Sequence, residues 1–310
     1  LRQGWRNKID WIKEERKNIS IDEIYISNGA KSDTTNILEL FSKDSLVCLF
    51  NPTYPVYKDA LDIMGMKYEY IDATIENNFM PIPNKKYDLV YICSPNNPLG
   101  ISYLKEYLKK WVDYAIENEC IILYDNVYNA FITSDAPKSI YEIEGSKKVA
   151  IEFNSYSKKA SFTGVRCSYY IIPNELMIKD ANKYWKKRTM VKFNGVDYIA
   201  QRGALATYTD ESKIIIDKNI KDYLNNAKYM KKVFEECGYK VFGGIDSPYL
   251  WITKDNLDSY EFFIHMLEKL NIIIIPGIIF GSNGRKFFRV SALADKKVII
   301  KAMERIKNEK

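Results

Sequence analysis

Short apolar runs alternate with longer stretches of helical period through the first two thirds of this 310-residue chain. "SLVCLF" (45–50), "YDLVYIC" (87–93), "CIILYD" (120–125) and "VAIEFN" (149–154) predict strands, and "DEIYIS" (22–27) a further extended segment. Between the second and third runs lies "SYLKEYLKKWVDYAIENE" (102–119), where Leu104, Leu108, Trp111, Val112 and Ala115 share one helical face. A strand, a crossover of that length and another strand imply a parallel pair. A helix is expected to start near Lys31, with Ser32 and Asp33 as capping candidates, and to run through "NILELF".

A long polar–apolar pattern over roughly 196–237 carries the chain out of this first unit. The last quarter holds "VFGGIDSPYLWIT", a helix over 258–270, "NIIIIPG", "FFRVSAL" and a final helix, which together read as a smaller α+β domain. The expected division is therefore a large domain over 1–205 and a small one over 206–310.

Composition narrows the chemistry. The 46 Lys and Arg are interspersed with 40 Asp and Glu, so the net charge of +6 is spread out. The densest basic run, Lys183 to Arg188, reads as the exposed face of a helix rather than a nucleic-acid patch. No apolar run approaches the ~20 residues needed to span a bilayer; the most apolar stretch, "NIIIIPGIIFG", is broken by Pro276 and Gly277. Five scattered cysteines without a CxxC pair point away from zinc or a disulfide framework and toward a reducing, cytoplasmic setting. The single histidine, His265, leaves acid–base chemistry to lysine, tyrosine and carboxylates.

In a parallel sheet, ligands sit at the carboxyl ends of the strands. The residues after each predicted strand are "NGAK", "SPNNPLG", "DNVY" and "SYSK": a glycine-opened helix start, an amide pair, an acid with a tyrosine three residues on, and hydroxyls with a lysine. That set suits an anionic, electron-poor aromatic ligand. "GAKS" ends like a phosphate-binding P-loop but lacks the earlier glycine, which excludes an ATPase reading. Taken singly, Asp125 before Asn126 also suits a turn cap, and Arg289 a strand-edge charge.

The ordered motifs carry a resemblance. "SYSKKASFTGVR" is similar to the lysine segment of fold-type I pyridoxal-phosphate aminotransferases, and "NPTYPVY", "SPNNPLG" and "YDNVY" occur in that family's order. "SNGAKSD", "ENNF", "SFTGVR", "FNG" and "FFRVSAL" resemble the LL-diaminopimelate aminotransferase subgroup. The resemblance implies a three-layer α/β/α large domain with a mostly parallel sheet, a homodimer and pyridoxal 5'-phosphate as cofactor. The implied activity passes an amino group from LL-diaminopimelate to 2-oxoglutarate in lysine biosynthesis. Transamination of other amino acids, a C–S lyase and an idle homologue are the alternatives.

By the same resemblance Lys158 bonds to the cofactor and moves the substrate proton, while Lys159 stands by. Arg166 pairs with the phosphate, helped by the Ala30 and Lys31 backbone N–H groups and by Ser155 or, less well, Ser157. Asp125 faces the pyridine nitrogen, Tyr128 and Asn97 the ring oxygen, and Tyr54 the ring face. Arg289 clamps the substrate carboxylate, Asn194 reaches across the dimer, and Lys31 and Tyr54 also touch substrate. Two departures from the family pattern lie beside the cofactor: Leu99, where threonine is usual, and Cys167-Ser168, where an apolar residue and glycine follow the arginine. The pattern also has an N-terminal segment ahead of the stretch matching "WRNKI", so the chain is expected to lack that arm.

Overall fold

The computed structural model describes residues 19–309; "WRNKI" at 5–9 lies outside them. In chain order the elements are β1 (Ile24–Ser27), α1 (Ala30–Asn36), β2 (Leu46–Asn51), α2 (Pro55–Met64), β3 (Lys67–Asp72), β4 (Leu89–Cys93), α3 (Lys105–Asn118), β5 (Ile121–Asp125) and β6 (Ala150–Ser155). Then come a single turn, α4 (Tyr156–Lys159), followed by β7 (Ser168–Ile171), α5 (Ala181–Lys192), α6 (Tyr198–Ala206) and α7 (Asp210–Glu236). The chain finishes with β8 (Lys240–Gly243), β9 (Tyr249–Thr253), α8 (Ser259–Leu270), β10 (Ile275–Pro276), β11 (Phe287–Ser291) and α9 (Lys296–Asn308).

Seven strands form one sheet in the order β1-β7-β6-β5-β4-β2-β3. The β2, β3, β4, β5 and β6 neighbours pair in parallel, and β7 runs antiparallel to both β6 and β1. Strands β4 and β5 are buried along their whole length, as continuous apolar runs in a sheet covered on both faces should be. One face packs on α3, where Leu108, Trp111, Val112 and Ala115 are fully buried. Each large apolar side chain removed from water there contributes about 1.5–3 kcal/mol. Leu104 departs from the expected stripe: it precedes the helix as its N-cap residue and is exposed. The other face is covered by α2 and α5, through Tyr57, Leu61 and Trp185. The architecture is the expected three-layer one.

The pattern over 196–237 resolves into two helices. The chain breaks at Thr207–Thr209, and the Thr209 hydroxyl caps α7 by accepting the Ser212 N–H. The small sheet, β10-β11-β9-β8, is antiparallel throughout. One of its faces packs Leu250, Ile252, Phe288 and Val290 against α7, α8 and α9. From the other, Trp251 and Phe287 enter the core of the large sheet. Alternation along two strands thus couples the small sheet to the site-bearing one.

The basic run 183–188 lies on α5, with Trp185 buried under it. Arg188 lies over the Trp185 ring and, with Lys192, pairs with Glu39. That is a solvated helix face rather than an aromatic-lined groove. No helix among the described residues is long and apolar enough to cross a membrane.

Candidate active site

Four strand ends and one helix start meet at a cavity of about 490 Å³. Its lining includes Ala30, Lys31, Tyr54, Asn97, Asp125, Tyr128, Ser155, Ser157, Lys158 and Arg166. Asn97, Asp125 and Lys158 converge because β4, β5 and β6 are parallel neighbours that end at the same edge.

The lysine side is built by the single turn α4. Ser155 ends β6 and caps that turn, its hydroxyl accepting the Ser157 N–H at 3.1 Å. The turn points successive side chains apart. Lys158 lines the cavity, whereas the Lys159 ammonium sits 4.9 Å from the Tyr208 ring centroid. Arg166 closes the segment with φ of 59°, a left-handed conformation uncommon outside glycine. Its Nη1 donates to the Ser157 hydroxyl at 3.2 Å and to the Thr163 carbonyl at 2.9 Å. Of the two serines, Ser157 is the one Arg166 touches.

Opposite Arg166, Gly29 precedes α1 with φ of 122°. A Cβ on Gly29 would overlap the Arg166 guanidinium, so the glycine lets the backbone close on the cation. Helix α1 starts at Ala30, one residue before the expected place, and Ser32 and Asp33 lie inside it rather than capping it. The Asp33 carboxylate takes hydrogen bonds from the Ser27 hydroxyl and, at 2.7 Å, from Ser168, whose oxygen accepts the Gly29 N–H at 2.9 Å. Ser168, one of the two departures from the family pattern, thus braces the Gly29 turn from below. Burial pushes the Asp33 carboxyl up to about 7, against the pull of those two hydroxyls.

Asp125 is buried at the end of β5. Tyr57 donates to its Oδ2 at 2.5 Å and the Val127 N–H to Oδ1 at 3.3 Å. Burial raises its carboxyl to about 6, and these two neutral donors hold it there. Tyr54, half-buried, precedes α2, and Pro55 supplies that helix's first residue; burial pushes its phenol up to about 12. Tyr128 is buried, and that burial, then Tyr249 beside it, raises its phenol well above the ordinary value.

Arg289 approaches from β11. Its Nη1 donates to Asn97 Oδ1 at 2.5 Å, which leaves the Asn97 NH2 as the donor for any other acceptor. The guanidinium carbon lies 4.3 Å from the Tyr249 ring centroid and 5.0 Å from that of Phe280. Its buried Nε has no hydrogen-bond partner among the described residues. Asn194 stands apart: it is exposed between α5 and α6 and does not line the cavity. His265, on α8, contacts Glu309 at the surface. Sequence reasoning gave no site role to Tyr57, Tyr249, Asp33, Ser168 or the cavity-lining Cys93 and Thr163; Ser168 carried a signal as a departure beside Arg166, and Asp33 as a capping candidate.

The donor set fits a phosphate-bearing pyridine. A cationic cradle closed by a glycine suits the anionic end. A buried carboxylate whose donors among the described residues, Tyr57 and the Val127 N–H, are neutral suits a cationic ring N–H.

Comparison with known proteins gives a consistent picture. The family described as "Aminotransferase class I and II" matches residues 6–306. An LL-diaminopimelate aminotransferase of Methanosphaera stadtmanae is 44% identical over 322 aligned residues, covering 96% of this chain and 78% of the relative. One from Bacteroides thetaiotaomicron is 45% identical, covering 93% of this chain and 76% of the relative. The solved L,L-diaminopimelate aminotransferase from Chlamydomonas reinhardtii superposes with a TM-score of 0.93 at 34% identity, covering 98% of this chain and 79% of that one.

Proposed function

The chain belongs to the class I and II aminotransferase family, and on that premise we propose that it transfers the amino group of LL-diaminopimelate to 2-oxoglutarate, using pyridoxal 5'-phosphate. The observation that carries the proposal is the cavity at the strand ends, where Lys158, Asp125, Tyr128 and Arg166 all contribute to the lining. The choice of donor rests on relatives at 44–45% identity that bear that activity in their names. Such a reaction belongs to lysine biosynthesis.

Bound pyridoxal phosphate supplies an aldehyde and a protonated ring that withdraws electrons from the substrate Cα. Lys158 would hold the cofactor through its amine and would take and return the proton at the substrate Cα. Asp125 keeps a proton on the ring nitrogen. Tyr128 and the Asn97 NH2 donate to the ring oxygen, and Tyr54 covers the ring face. Arg166, the Ala30 and Lys31 N–H groups and Ser155 or Ser157 hold the phosphate. Arg289 takes the substrate α-carboxylate, a planar anion that a guanidinium matches better than an ammonium does. Lys31 and Tyr54 flank the substrate, and Asn194 serves the site of a second copy in a homodimer.

Borohydride reduction followed by peptide mapping tests the register, with the label expected on Lys158. Lys158→Ala should abolish transamination and Lys159→Ala should leave most of it; label on Lys159 would overturn the assignment. Comparing LL-diaminopimelate with glutamate, aspartate and aromatic donors tests the substrate, and a preference for any of the latter would replace it.

A further inference from the structure

Tyr249 belongs to no motif, yet it touches both halves of the site. It is the first residue of β9 and is buried. Its backbone is held tightly: Gly100 and Gly243, with φ of 69° and 78°, come so close that a Cβ on either would overlap the Tyr249 carbonyl. The Tyr249 N–H also donates to the Ser247 hydroxyl at 3.2 Å. On one side its ring meets Tyr128 edge-on, with centroids 5.3 Å apart, and the Tyr128 hydroxyl donates to that of Tyr249 at 3.2 Å. On the other side it forms a face for the Arg289 guanidinium, 4.3 Å from the ring centroid.

In β11 Arg289 lies opposite Trp251 and Ser291 opposite Tyr249, so Tyr249 and Arg289 are diagonal neighbours on the same face of the small sheet. Arg289 in turn is tied to Asn97 at 2.5 Å. The contacts form an unbroken run, Asn97–Arg289–Tyr249–Tyr128, that leaves the large sheet after β4 and returns to it after β5. We propose that Tyr249 is a positioning residue that fixes the Tyr128 hydroxyl and the Arg289 guanidinium relative to each other, and so aligns the cofactor's ring oxygen with the substrate's carboxylate. This rests on the roles proposed above for Tyr128 and Arg289.

The chemistry requires both parts of the side chain. Packing alone needs the ring, not the hydroxyl. When an anionic oxygen lies against Tyr128, the Tyr128 proton turns to it and the Tyr249 proton turns to the Tyr128 oxygen. Two O–H rotors move and no proton leaves either residue. Such a chain polarises, so the second hydroxyl strengthens the first as a donor. Cys93 and Asp125 are the other titratable groups facing Tyr128, and neither offers it this donor. The ring face matters separately, because a desolvated cation gains more from an aromatic face than an exposed one does.

Full-length protein loaded with pyridoxal phosphate, as wild type, Tyr249→Phe and Tyr249→Leu, separates the two parts. The readouts are the pH midpoint of the bound cofactor's visible absorbance and KM with kcat for the amino donor. Tyr249→Phe should raise the midpoint by about half a unit, because a weaker donor stabilises the ring oxygen's charge less. It should leave KM within about twofold, since phenylalanine keeps the aromatic face. Tyr249→Leu should raise the midpoint equally and KM about tenfold beyond the phenylalanine variant. An unmoved midpoint in Tyr249→Phe, or equal KM in the two variants, overturns the inference. A wild type that takes up no cofactor overturns the proposed function and this inference with it; a coloured wild type whose midpoint Tyr249→Phe leaves in place overturns this inference alone.

Discussion

Removing one oxygen atom, by Tyr57→Phe, should weaken cofactor binding at neutral pH through a residue that does not line the cavity. The Tyr57 ring stacks on Tyr91, centroids 4.4 Å apart and planes 10° from parallel, and phenylalanine preserves that packing. What disappears is the 2.5 Å hydrogen bond to Asp125 Oδ2. Asp125 already carries a burial penalty that raises its carboxyl from 3.8 to about 6. The sign follows from that direction. In the cofactor-free protein the raised pKa gives stability that is full below 3.8 and lost as pH rises through about 6, where an unpaired carboxylate must be buried. A hydrogen bond to a charged group contributes about 1.5–3 kcal/mol, so its loss should move the carboxyl up a further one to two units or so. Ionisation would then centre between about 7 and 8, and the anionic fraction at pH 7 would fall about two- to tenfold. Because the cationic ring N–H requires the anionic acid, the acid limb of cofactor affinity should shift upward by the same amount. Spectrophotometric titration of the cofactor at a series of pH values reads this directly. Coincident acid limbs for wild type and variant would show that Tyr57 does not tune Asp125, and would refute the reasoning.

Two other perturbations test the frame around the site. Gly29→Ala places a Cβ against the Arg166 guanidinium at a φ of 122°; cofactor affinity should drop about tenfold or more while the chain still folds, as judged by circular dichroism. An alanine variant with wild-type affinity would remove Gly29 and Arg166 from the phosphate cradle. Asp246 is a buried acceptor that joins the two sheets' domains, taking the Thr133 and Ser134 N–H groups at 2.8 and 3.0 Å and the Ser134 hydroxyl at 2.5 Å. Burial pushes its carboxyl up, but these bonds outweigh it and hold the group below 3.8. Asp246→Ala should therefore cost about 2–3 kcal/mol in urea unfolding at pH 7. The difference from wild type should be full above pH 3.8 and fade as pH falls through the lowered pKa; a difference independent of pH would assign the loss to packing instead.

Which parts of this molecule could be read from the chain follows from what each residue's role depends on. Strands β2, β4 and β5 are legible because both faces of each are covered, which forces nearly continuous apolar runs. Edge strand β3, "KYEYID", is largely exposed and carries no such run. The most apolar stretch, "NIIIIPG", contributes only the two residues of β10, and Ile273 within it is exposed. Run length there reports composition rather than burial. Hydrophobicity thus predicts a strand only where topology demands that both sides be dry.

The site divides the same way. Lys158, Asp125, Arg166 and Arg289 announce themselves, since an amine, an acid and two guanidiniums at strand ends have few bland uses together. Tyr57 and Tyr249 are two of 24 tyrosines, and their roles arise from contacts with residues 68 and 121 positions away. Local spacing cannot encode contacts at that separation. Asp33 looks like a helix cap until Ser168, 135 positions on, is found hydrogen-bonded to it. The groups that act on substrate are legible by their chemistry, and the groups that tune them only by position. Arg289 belongs to both classes: its charge marks it in the sequence. Its register against Tyr249, two residues along the neighbouring strand, decides where that charge points. A one-residue slip of β11 would turn the guanidinium to the opposite face of the small sheet, against Leu250 and Ile252 of β9. Burying an unpaired cation there is costly enough to exclude the slipped pairing. The charge that serves the reaction therefore also helps select the strand register that positions it.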